Sequence, residues 1–249
     1  MKDAVSGLRR GMCVVYPTST QPALGCLPTS ASLDLLYSLK NREGDQPVSL
    51  AVANLEQARK IAHIPDGVVS LLDHFPTGSV TVILDSKSTL DERLGGDRVA
   101  LRVVSHNTAV RLIEEVGPIT ATSANISGSP PENDPAMAAR SLSTDGSQIP
   151  FVSGLCGGDV PSTLISWESS TRSPDTTGTK VLREGLVKKL EVFDWLKSRI
   201  RSSGRMLVMS HEEPWRGSKG RLLQARAGMM LLTLLRGLFV DTEVKPRSP

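Results

Sequence analysis

Aromatic residues make up only 4% of the 249-residue chain, so the interior must pack from aliphatic side chains. That scarcity also argues against readout of single-stranded nucleic acid, which leans on stacked rings. Cysteine is rarer still: Cys13, Cys26 and Cys156 lie far apart in sequence, with no CxxC pair. An odd, dispersed set suggests reduced thiols in a cytosolic setting and indicates neither a disulfide frame nor a zinc site. The four histidines, His63, His74, His106 and His211, lack metal-ligand spacing and read as surface or cap residues. No apolar run is long enough to cross a bilayer, and the first residues, MKDAVSGLRRGMCVV, lack the apolar stretch of a secretion signal. A cytoplasmic protein without a membrane partner is expected.

What the chain does have is ordinary for a folded enzyme-sized domain: 39% hydrophobic residues and a net charge of +3. The charge is uneven. Residues 191–249 hold 11 Lys/Arg against 6 Asp/Glu, leaving 18 against 20 for residues 1–190. Strand-like runs appear at MCVVYPT, PVSLAVA, SVTVIL, VALRVV, PFVSG, STLISW and KVLREG, with the polar segment DSKSTLDERLGGD between the third and fourth. Helical patterns fall at SASLDLLYSLKNR, with its serines placed for an N-cap, at NLEQARKIAH behind Asn54, and at HNTAVRLIEEVG between Asn107 and Gly117. DPAMAARSL carries the strongest start signal, Asp134 as N-cap followed by Pro135. Strands alternate with helices and then cluster, which predicts an α/β domain with a mixed, helix-covered sheet over 1–190. Residues 191–249 read as a basic helical extension: VFDWLKSRI is helical, SSGR and EEPWRGSKG are breaks, and RLLQARAGMMLLTLLRGLFV is an apolar-biased helix. That last helix reads as packing on the main domain or a dimer partner, with a basic membrane-surface helix as the alternative.

The chemistry-bearing candidates are cations and hydroxyls. Lys40 and Arg42 close the first helical pattern; at i and i+2 they reach one ligand only if the helix ends there and the chain unwinds. The bland reading is a basic helix end complementing the dipole. Arg102 stands inside an apolar strand, where a lone guanidinium is costly without an anionic partner. Arg183 repeats the arrangement, with Glu184 beside it as a mundane partner. Residues 118–130, PITATSANISGSP, are rich in hydroxyls and small side chains after a clean helix end. They read either as a strand leaving into a Gly/Pro loop or as a ligand cradle.

Taken in order, YPTST, LKNREGDQPVSLAVA, LRVVSHN, GPITATSANISGSP, PSTLISW and VLREG resemble the successive blocks of the YrdC-type threonylcarbamoyl-AMP synthases over residues 8–190. The resemblance implies a YrdC-like twisted mixed sheet with flanking helices and a large open cavity. It implies an enzyme that condenses L-threonine, bicarbonate or CO2, and ATP into threonylcarbamoyl-adenylate and pyrophosphate. That product feeds tRNA threonylcarbamoyladenosine modification, through a downstream threonylcarbamoyl transferase. Lys40, Arg42, Ser123, Asn125 and Arg183 would bind ATP with its Mg²⁺, with Lys40 and Arg42 in the catalytic role. Thr20, Arg102, Thr122 and Ser162 would surround threonine, with Arg102 the partner of its carboxylate.

The chain departs from the family pattern on the threonine side. Ser19, Pro22 and Ala23 stand where the family has an acid, a tyrosine and a glycine. PTGSVT at 76–81 lacks a tryptophan and prolines, Val104 replaces a proline, and Ala51 falls where some members have histidine. Two other readings stay open: a non-catalytic module with RNA or ribosome contact, and a paralogue adenylating another carbamate. Longer relatives carry a Rossmann-like second domain, whereas residues 191–249 show no βαβ pattern.

Overall fold

The computed structural model describes residues 1–44, 46–143, 148–158, 160–168 and 179–209, with side chains only as far as 199. The EEPWRGSKG break and the apolar segment 221–240 lie outside the described residues. One compact unit is Met1–Ser198 and a second is Arg199–Pro249. Among the described residues no helix is long and apolar enough to cross a membrane.

Among the described residues eight strands form: β1 (Val14–Tyr16), β2 (Ala23–Gly25), β3 (Ser49–Val52), β4 (Val80–Asp85), β5 (Arg98–Val103), β6 (Ile119–Ser123), β7 (Thr163–Ser166) and β8 (Lys180–Arg183). They form one sheet in the order β1-β2-β6-β3-β5-β4-β7-β8. Only β3/β5 and β4/β7 are parallel, so the sheet is mixed as expected. The helices are α1 (Lys2–Arg9), α2 (Ser30–Lys40), α3 (Leu55–Ile61), α4 (Asp66–His74), α5 (Asn107–Val116), α6 (Pro135–Leu142) and α7 (Lys189–Met209).

Strand periodicity divides the molecule into two layers of core. Leu50 and Val52 of β3, Val82 and Leu84 of β4, and Val99 and Leu101 of β5 join Leu33 and Leu36 of α2, Val68 and Leu71 of α4, and Val192 and Trp195 of α7. The alternate residues, Val14, Tyr16, Ala23, Ala51 and Ile119, meet Val5 and Leu8 of α1 and Leu112 and Ile113 of α5 on the other face. Each fully buried leucine contributes about 2–3 kcal/mol of transfer free energy. This second face is not wholly covered. Ser49, Ala100, Ala121 and Arg102 continue it beyond α1 and α5, and their small side chains leave a hollow.

Several boundaries differ from the sequence expectation. The PFVSG run is no strand; Phe151 forms only an isolated bridge to Val15. The N-cap of α5 is His106, whose Nδ1 accepts from the Thr108 amide at 3.2 Å, and not Asn107. The N-cap of α2 is Thr29 instead of a serine. The SSGR stretch does not break α7, which runs through it. β2, α1 and α4 are additional elements that the periodicity did not signal.

Candidate active site

The hollow on the second sheet face is a cavity of about 210 Å³. Seven of the nine predicted residues line it: Thr20, Arg42, Arg102, Thr122, Ser123, Ser162 and Arg183. They come from six separate segments, gathered by a single sheet. β5 pairs with β3 and β4, and β7 pairs with β4 and β8, so Arg102, Ser162 and Arg183 converge across neighbouring strands. Lys40 and Asn125 stand outside the lining, behind Ser123.

Arg102 carries the strongest electrostatic signal. It is 6% exposed, yet Nε donates to Gly78 O at 2.9 Å and Nη2 to Thr20 Oγ1 at 2.9 Å and Ser19 Oγ at 3.2 Å. All three acceptors are neutral. Burial pulls its pKa down, Tyr16 opposes that shift and the Arg183 charge adds to it. A guanidinium held this way is short of negative charge on its cavity side. Arg183 shows the same shortage. Its Nη2 donates to Ser162 O at 2.8 Å, while Glu184 pairs with Lys188 at 3.4 Å. Glu184 thus turns to Lys188, and the mundane Arg183–Glu184 pairing does not form.

Arg42 reaches the cavity because α2 stops at Lys40. Asn41 adopts the left-handed conformation (φ 47°, ψ 49°), a common helix terminator, and the chain turns away from the helix axis. Arg42 Nε then donates to Gln46 O at 2.8 Å, and its guanidinium carbon lies 6.0 Å from the Tyr37 ring. Three guanidinium groups thus share one cavity, and no described lining residue is a carboxylate. The arrangement suits an anion with several charges.

Hydroxyls supply the remaining polarity. Ser162 Oγ and Thr81 Oγ1 are 2.8 Å apart, and Thr20 Oγ1 lies 3.0 Å from Thr18 Oγ1. Ser123 Oγ donates to Asn125 Oδ1 at 2.5 Å, and Asn125 Nδ2 donates to Ser129 O at 2.5 Å. Asn125 thereby organises the loop after β6. Lys40 is 1% exposed; its Nζ donates to Ser123 O at 2.6 Å and Asn125 O at 2.5 Å. Burial, with help from the Arg42 charge, lowers its pKa to about 8.

Sequence reasoning missed Thr81 and Ser49, which line the cavity from β4 and β3. Their signal is a short polar residue at alternate positions of an otherwise apolar strand, meaningful only once register is known. It also missed that Cys13 and Cys26 meet: Val14 pairs with Gly25, and the two buried thiols interact at the next step of the ladder. Among the described residues no group of histidines, cysteines and carboxylates could hold a metal ion.

Comparison with known proteins places the chain in a family. The Sua5/YciO/YrdC family, described as Telomere recombination, matches residues 6–185. A Mycobacterium tuberculosis protein named for threonylcarbamoyl-AMP synthase activity is 32% identical over 189 residues, covering 74% of this chain and 83% of its own. The threonylcarbamoyl-AMP synthase of Photobacterium profundum is 30% identical over 194 residues, covering 74% and 98%. The crystal structure of Pyrococcus abyssi Sua5 complexed with L-threonine superposes with a TM-score of 0.63 at 28% identity. That match takes in 74% of this chain and 53% of the Pyrococcus protein, so this chain spans about half of that longer relative. With a family match running from α1 to the end of β8, the chain belongs to the Sua5/YciO/YrdC family.

Proposed function

We propose that this chain is a threonylcarbamoyl-AMP synthase, an enzyme that joins L-threonine, bicarbonate or CO2, and ATP into threonylcarbamoyl-adenylate with release of pyrophosphate. The observation that carries the reading is the cavity itself: three guanidinium groups and a set of hydroxyls, with no carboxylate among the described lining residues. Among the described residues, such a lining has no carboxylate, imidazole, thiol or amine that could activate a hydroxyl or serve as general base. It suits a reaction that needs none. The threonine amine adds to CO2 and loses a proton to give a carbamate. A carbamate oxygen then attacks the α-phosphorus, forming one P–O bond as the bond to pyrophosphate breaks.

What such a reaction requires of the protein is alignment and positive charge where the leaving group develops. Arg42, Arg183 and Ser123 are assigned to the triphosphate. Arg102, with Thr20, Thr122 and Ser162 around it, is assigned to the threonine side, its unmet charge facing the carboxylate. Mg²⁺ would arrive as the counter-ion of ATP, because the described lining offers hydroxyls and cations instead of the carboxylates that commonly hold Mg²⁺ in proteins. The product is a mixed anhydride fit for transfer to the tRNA adenosine by a separate transferase.

The test is pyrophosphate release from ATP measured with threonine and bicarbonate each left out in turn. Release that needs all three supports the assignment. Turnover of ATP that ignores threonine overturns it, and a panel of other amino acids then identifies the carbamate that is used.

A further inference from the structure

Lys40 occupies the last position of the buried stripe of α2, after Leu33, Leu36 and Tyr37, where an apolar residue would continue the pattern. Instead an ammonium is buried there with only neutral partners. Nζ donates to Ser123 O, Asn125 O and, at 3.4 Å, Asn125 Oδ1, so each of its three hydrogens has an acceptor. The main chain of the same residue grips the same loop, for Lys40 O accepts from the Ser127 amide at 2.9 Å. The loop then closes on itself through Ser123 Oγ to Asn125 Oδ1 and Asn125 Nδ2 to Ile126 O and Ser129 O. Ser123 lines the cavity; Lys40 does not.

We propose that Lys40 is a positioning residue, which fastens residues 123–129 from both its side chain and its main chain and acts on the nucleotide through Ser123 without touching a phosphate. The second half of this statement rests on the nucleotide reading above; the fastening does not. A helix-dipole role fails to explain the contacts, since Nζ bonds a different segment. A packing role fails as well, since a hydrocarbon of the same length would fill the space without the cost of a buried charge. The charged group acting on Nζ is Arg42, two residues on, and Tyr37 lies one turn back on α2. Neither 123–129 nor β2 contributes a titratable side chain. Burial disfavours the charged form, so loss of the proton past about pH 8 relieves that cost in the closed loop, while the amine keeps two hydrogens for its acceptors.

Hydrogen exchange in the ligand-free protein tests the fastening. In Lys40→Met, the Asn125, Ser127 and Ser129 amides should lose on the order of tenfold protection, while β3 and β5 amides keep theirs. In the wild-type chain, protection of the same three amides, corrected for base catalysis, should rise above about pH 8, where the closed loop holds a neutral amine and opening must take up a proton, and the pH dependence should vanish in Lys40→Met. Calorimetric ATP affinity should fall in Lys40→Met. Unchanged loop protection in the variant beside a lost ATP affinity would mean direct phosphate contact and overturn the proposal, as would wild-type loop protection indifferent to pH. If Lys40→Met does not fold, the wild-type pH series decides alone. Wild-type protein that binds no ATP would overturn the nucleotide reading only, with the exchange data still deciding the fastening.

Discussion

Replacing Arg102 with methionine keeps most of the side-chain volume and removes the charge. The size of the effect follows from burial. At about 4 Å and an effective dielectric near 20, an ion pair is worth about 4 kcal/mol; in a water-like surround it is worth about 1 kcal/mol. Arg102, 6% exposed, belongs to the first regime, while Arg42 and Arg183 sit nearer the mouth. Threonine-dependent pyrophosphate release by Arg102→Met should therefore lose about 10³ in kcat/KM for threonine, against about fivefold for a mouth arginine. Arg102→Lys should not restore it. The guanidinium serves Gly78 O through Nε and Thr20 Oγ1 through Nη2 at once, and a single ammonium cannot span both while facing the cavity. Circular dichroism and a cooperative melt establish that the variants are folded. A folded Arg102→Met within tenfold of the wild type refutes the assignment, and so does full rescue by lysine.

Three further outcomes are expected. Thr163→Val should lower unfolding free energy by about 2–4 kcal/mol in denaturant titration, because Thr163 Oγ1 accepts from the Gly185 and Val187 amides and donates to Val187 O, all buried. Gly157→Ala should destabilise by about 1–3 kcal/mol or displace the loop, since an added Cβ would meet Ser19 O at 2.0 Å; synthase activity should fall with it, because Ser19 holds Arg102. For Lys40, the folded chain releases its proton near pH 8 and the unfolded chain near 10.5, so between these values the unfolded state binds more protons and stability rises with pH. The gain is roughly 3 kcal/mol at most, and it should be missing from the pH–stability curve of Lys40→Met.

Much of this was legible before any coordinates. Asp134 and Pro135 announce α6, and the apolar runs of β3, β4 and β5 read directly as strands. Arg102 stood out because a charge inside such a run needs a reason. The segments that escaped are those whose reason is long-range. β2 has three residues between Pro22 and Cys26, too few for alternation, and exists because β1 and β6 flank it. α4 contains Gly67 and buries only Val68 and Leu71 besides, a weak helical pattern that packing completes. The two roles inside Lys-x-Arg separate for a similar reason. Where α2 ends decides that Lys40 turns inward and Arg42 outward, and the left-handed turn at Asn41 that decides it is a tertiary fact.

The charge distribution gives the site its energetic logic. Residues 1–190 are nearly neutral, with 18 basic against 20 acidic side chains, yet the described cavity lining gathers three cations and no acid. Acids are plentiful elsewhere: Asp34 and Asp91 both serve Arg93 on the surface. Nothing in the composition forces Arg102 or Arg183 to go without a carboxylate. Leaving them so sacrifices stability twice, once in desolvation and once in the apolar contacts that Ser49, Ala100 and Ala121 forgo by being small. The two hydrophobic clusters on either face of the sheet are what allow a fold to carry that cost. A bound polyanion would return both losses together, filling the hollow and pairing the charges. Ligand binding and folding stability are then linked through the same few residues, so the cations that most weaken the empty protein are those that contribute most to the occupied one.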